Sequence, residues 1–157
     1  MSYQDVREYI EELNRRNLLQ VIEEKVNKDT ELVPLVRLQF RGLPEPQRKA
    51  FWFKNVTDTQ DKEFDGSVLL GALGSSRTIY GAALNVQSTE IAKKWASVHG
   101  NHLKPNQISK DGAPIKQVIN QKPEPGEGVD QFPHLISTPG FDPAPFITAG
   151  VWITRDP

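Results

Sequence analysis

The run Lys122-Pro123-Glu124-Pro125-Gly126-Glu127-Gly128 constrains the fold more than any other stretch. Its prolines lack amide hydrogens and its glycines lack side chains, so it can neither hold a helix nor sit inside a sheet. It reads as an exposed linker or arm. The chain therefore divides into a long patterned stretch before the run and a short one after it. With 157 residues there is room for one domain, or for one domain and a piece of a second. Hydrophobic residues at 37% and charged residues at 25% give the balance of a globular protein in water.

In the patterned stretch, Val6, Tyr9, Ile10 and Leu13 recur at helical spacing over residues 2–16, with Ser2 as N-cap and Asp5 favourable in the first turn. Asn17 punctuates, and residues 18–26 read as a strand whose Glu23-Glu24-Lys25 half is wet. Asp29 or Thr30 caps a second helix over 31–41, with Pro34 tolerated near its first turn and Gly42 ending it. Ala50-Phe51-Trp52-Phe53 is a bulky strand, residues 58–65 a polar connector, and residues 67–73 a short apolar strand suited to burial on both faces. Ser75-Ser76 introduces a helix over 77–84, and Ser88 or Thr89 another through His99, ended by Gly100. This alternation predicts a compact α/β (α+β) unit: a small mixed sheet flanked by helices. Past the linker, residues 146–154 alternate as a further strand.

Several function classes are excluded. The chain has no cysteine, which removes thiolate catalysis, iron–sulfur clusters and cysteine zinc sites. Its net charge is -1 and its Lys and Arg residues are scattered, so it shows no footprint for nucleic acid. No apolar run approaches the roughly 20 residues of a spanning helix. The polar N-terminus lacks a signal-peptide pattern, so a cytoplasmic location is expected.

Three features carry possible chemistry. Gly71-Ala72-Leu73-Gly74-Ser75-Ser76-Arg77 is a strand–turn–helix that could offer backbone N–H groups to a phosphate, although it lacks the lysine and third glycine of nucleotide-binding loops. The plainer reading is serine capping with close backbone packing. His99 and His102 are three apart, but Gly100 between them breaks the shared helical face a metal pair needs. The third feature is the terminal segment 142–157, structural by its spacing.

The order of short motifs resembles that of UbiD-family decarboxylases. The helix over 5–13, the strand over 18–22 and the helix start Asp29-Thr30-Glu31-Leu32 are similar to the family's opening. Ala50-Phe51-Trp52-Phe53-Lys54-Asn55-Val56, the strand and Gly-Ser turn over 69–77, Phe132-Pro133 and the segment 142–157 come next in the family's order. The resemblance implies an N-terminal α/β domain over 1–120, a linker or arm over 121–145, and over 146–157 the first strand of a split β-barrel that binds prenylated FMN, a divalent metal (manganese) and potassium. It implies reversible decarboxylation of aromatic or α,β-unsaturated acids, with the cofactor as electron sink. The family's metal-binding His and Glu and its Glu-Arg-Glu acid/base set have no counterpart in this chain, so no catalytic or metal-binding residue is expected here. Thr148 and Gly150 fall where the family lines its cofactor cleft.

Expected partners are the remainder of such a decarboxylase, or another copy of this chain through the terminal strand, with a homo-oligomer in the full-length form; nucleic acid and membrane are not expected. The alternative is a natural non-catalytic short subunit. A gating hinge is expected near residues 123–128.

Overall fold

In the computed structural model, residues 3–101, 103–122, 124–147 and 150 are described. The first helix, α1 (Val6–Arg15), begins with the apolar spacing at Val6, about one turn later than an N-cap at Ser2 predicts. Asp5, not a residue of the first turn, is the N-cap: its carboxylate accepts from the backbone N–H groups of Arg7 at 2.7 Å and Glu8 at 3.3 Å. Ser2 lies outside the described residues. At the other end Asn17 adopts φ +57°, with Leu18 N–H donating to the Leu13 carbonyl and Asn17 N–H to that of Asn14. This pair of bonds closes the helix and turns the chain directly into the sheet.

The sheet is built around β2 (Ala50–Thr57). On one side β1 (Leu19–Asn27) runs parallel to it, from Leu19 opposite Ala50 to Asn27 opposite Thr57. The register shifts between Ile22 and Lys25, so that the water-facing Glu23-Glu24 pair absorbs an extra residue. On the other side β4 (Val68–Leu70) pairs antiparallel with Phe51–Phe53, and the two-residue β3 (Glu63–Phe64) pairs with Val56 and Thr57. Residues 58–65 are therefore not wholly a connector. Nor is 67–73 a strand buried on both faces: three residues pair, only Val68 of them is buried, and β4 lies at the side of the sheet.

The parallel pair requires a crossover, and α2 (Leu32–Gly42) supplies it. Neither Asp29 nor Thr30 caps this helix. Asn27 Oδ1 accepts both of their N–H groups, at 2.9 and 3.2 Å, and the Glu31 carboxylate reaches back to Asn27 N–H at 2.8 Å. Asp29 is instead drawn to the Lys28 ammonium at 2.5 Å, where both side chains are buried. Glu31 occupies the cap position without a side-chain bond to the helix.

Helices cover both faces. Leu32 and Val36 of α2 pack with Val26, Phe53, Val56 and Val68 on one. Tyr9 and Leu13 of α1 join Leu19, Ala50, Ile79 and Ala82 on the other, the last two from α3 (Arg77–Ala83). The Tyr9 hydroxyl lies 2.6 Å from the Ala72 carbonyl and 3.0 Å from that of Ile79, tying α1 to the turn after β4, and burial pushes its ionisation well above that of a free phenol. The expected mixed sheet flanked by helices is thus the observed fold.

After α3 a single 3₁₀ turn, Ser88–Glu90, leads into α4 (Ile91–Val98). Ser88 and Thr89 therefore lie in this turn instead of capping the helix. His99 closes the helix with extended backbone, and Gly100 comes next at φ +88°. Beyond it the chain passes through 3₁₀ turns at Lys110–Gly112, Pro114–Lys116 and Val129–Gln131, and is largely exposed. It returns at Leu135, which is buried in the α2-side core. The expected strand over 146–154 falls mostly outside the described residues; within them, Phe146 makes an isolated antiparallel bridge to Leu135.

Candidate functional site

The turn at 71–77 is closed by its own polar groups. Gly71 adopts φ +69°, and a Cβ placed there would lie 2.2 Å from Ser75 Oγ. Ser75 is almost fully buried; its N–H donates to the Gly71 carbonyl at 3.1 Å, and its hydroxyl accepts from Gln39 Nε2 at 3.1 Å. The same Gln39 amide group meets Lys49 twice, giving a hydrogen bond to its carbonyl at 3.1 Å and accepting one from its N–H at 2.8 Å. Ser76 Oγ caps α3 by accepting from Ile79 N–H, and the Glu45 carboxylate accepts from Arg77 N–H at 2.7 Å. A carboxylate of the chain thus sits at the helix start where a phosphate would have to bind. The turn is a packing knot linking α2, β2, β4 and α3, in line with its plainer reading.

His99 is exposed at the end of α4, and His102 lies outside the described residues. Among the described residues no three His, Asp or Glu side chains are grouped to hold a metal ion.

The terminal segment offers the remaining candidate. Pro133, His134 and Leu135 run alongside β4, and with Phe146 and Ile147 they line a shallow cleft against Val68–Leu70. His134 Nε2 lies 2.6 Å from the Val129 carbonyl, within its own loop. Of the two expected cleft-lining residues, Thr148 lies outside the described residues, and Gly150 is exposed and in no strand. The cleft is walled mainly by aliphatic and aromatic groups, with Ser67 and His134 as its polar members. The Trp52 indole N–H already donates to Ser67 Oγ at 2.9 Å. Such a surface can bury an apolar group.

Sequence reasoning missed Gln39 and Leu135. Gln39 is a polar residue on the buried side of α2, and only its three hydrogen bonds reveal its role. Leu135 does carry a signal, an apolar Leu135-Ile136 pair shortly after Phe132-Pro133 in an otherwise Gly/Pro-rich stretch.

The sequence matches no protein-family model and no curated protein. Its fold is that of part of the UbiD-class decarboxylases. Vanillic acid decarboxylase of Sedimentibacter hydroxybenzoicus, in its open form with a truncated companion chain, superposes with a TM-score of 0.64 at 19% identity, over 88% of this chain and 28% of that one. The UbiD-class enzyme HmfF of Pelotomaculum thermopropionicum, in an evolved dimeric form bound to prFMN, gives 0.66 at 20% identity, over 87% of this chain and 29% of that one. HmfF bound to FMN gives 0.55 at 22% identity over 72% of this chain and 23% of that one. The chain thus spans less than a third of the length of these enzymes, and at such identities the likeness is one of fold.

Proposed function

We propose that this chain is the N-terminal portion of a UbiD-like reversible decarboxylase acting on aromatic or α,β-unsaturated carboxylic acids. In this role it packs beside a catalytic barrel and carries no cofactor, metal or acid/base group of its own. The supporting observation is the fold shared with vanillic acid decarboxylase and HmfF across nearly nine-tenths of this chain. The motif order supports the same reading independently of the fold, since short segments from residue 5 to residue 157 keep the family's succession. Prenylated FMN, manganese and potassium would be held by the barrel and the segments after it. That cofactor supplies the electron sink for decarboxylation. This chain supplies a rigid wall, with Thr148 and Gly150 as its nearest approach to the cofactor cleft.

The reading is tested by mixing the purified chain with prenylated FMN and manganese and then desalting. No flavin absorbance should remain with the protein. Stoichiometric retention would show a cofactor site within these 157 residues and overturn the proposal.

A further inference from the structure

We propose that residues 130–147 are a strap belonging mechanically to the α/β unit, and that residues 103–129 are a severable excursion instead of the hinge between two bodies. The strap is held from three directions. Leu135, 9% exposed, inserts among Phe53, Val56 and Val68. The Pro133 ring packs on Gly66, its Cδ only 3.3 Å from where a Cβ would stand. Lys62 Nζ donates to the Asp130 carbonyl at 3.0 Å, and Arg37 Nη2 of α2 donates to Thr138 Oγ1 at 3.0 Å, so anchors from two different parts of the unit flank Leu135. The strap is also closed on itself: Thr138 N–H donates to Asp142 Oδ2 at 2.6 Å, and Phe146 N–H to the Leu135 carbonyl at 3.1 Å.

The described residues of the excursion show no such attachments. Among its described residues the hydrogen bonds run only to near neighbours, such as Lys116 N–H to the Ala113 carbonyl and Gly126 N–H to Asp130 Oδ2. Leu103, Ile115 and Val118 are 94%, 84% and 87% exposed. Both ends of this loop are therefore tied to one body, and bending at the Pro/Gly run cannot move the strap relative to the sheet. Where the decarboxylase reading also holds, any swing of the barrel against this unit turns beyond the strap.

The test is to insert a specific protease site after Val118 in the full chain, cleave it, and run the nicked protein on a native sizing column with mass spectrometry of the peak. The two fragments should co-elute at the uncut volume and part only in denaturant. Adding Leu135→Ala should shorten the lifetime of the nicked complex at least tenfold. Fragments that separate under native conditions, or a nicked protein that loses its helical circular dichroism, would overturn the strap. Neither result bears on cofactor retention, so this proposal and the decarboxylase reading fail separately.

Discussion

Gln39 joins α2, the entry to β2 and the turn before α3 through one buried amide group. Its removal leaves the Lys49 backbone and the Ser75 hydroxyl short of partners, a cost of about 1–3 kcal/mol for each buried group stranded. Gln39→Ala should therefore lower the urea midpoint clearly, while Gln39→Glu should be no milder, because it replaces two donated bonds with a buried charge. Gly71 and Ser75 give a sharper test. Gly71→Ala is strained both by its positive φ and by the approach of Ser75 Oγ, and Ser75→Ala removes only the second cause. A double-mutant cycle by denaturant unfolding should give a favourable coupling above about 0.5 kcal/mol; additive costs would contradict the close contact.

Glu12 makes stability depend on pH. Hydrogen bonds from the Arg15 and Arg16 guanidiniums hold its carboxyl at about 2, below its ordinary 4.5. A group depressed on folding contributes above its unfolded value and loses that contribution as pH falls through the folded one. Stability should thus decline between pH 4.5 and 2, and Glu12→Gln should flatten that slope. An unchanged slope would assign the loss to other carboxyls.

At the scale of elements, the amphipathic spacing of α1, the aromatic strand β2 and the serine-capped α3 were legible because each is decided locally, by periodicity, side-chain bulk and a capping hydroxyl. The errors lie where another partner decides. Asn27 captures the N–H groups of Asp29 and Thr30, so the two residues that look like caps become capped themselves. β4 is short, pairing only with Phe51–Phe53, a fact of sheet topology that an apolar run does not contain. The candidate site was less legible still. The turn at 71–77 looks open in sequence, and the side chains that fill it include Gln39 and Glu45, 36 and 32 positions away from their partners. Leu135 belongs to this scale as well, since it completes a core built from elements far earlier in the chain. Leu135→Ala in the uncut chain should cost about 2–5 kcal/mol in equilibrium unfolding. A cost near zero would mean that the strap contributes no core.

For the whole molecule, a sheet covered by helices on both faces leaves its own interior satisfied, while the chain after α4 carries apolar side chains into water. The enzymes sharing its fold have more than three times the length of the part it covers. No helix among the described residues is long and apolar enough to cross a membrane. The central claim is that this unit serves a decarboxylase whose chemistry lies in further segments of the same protein. Sequencing the native transcript through the Pro157 codon tests it most directly. The frame should continue into a barrel carrying a metal-binding His and Glu and then a Glu-Arg-Glu set; a natural stop codon directly after Pro157 would contradict the claim.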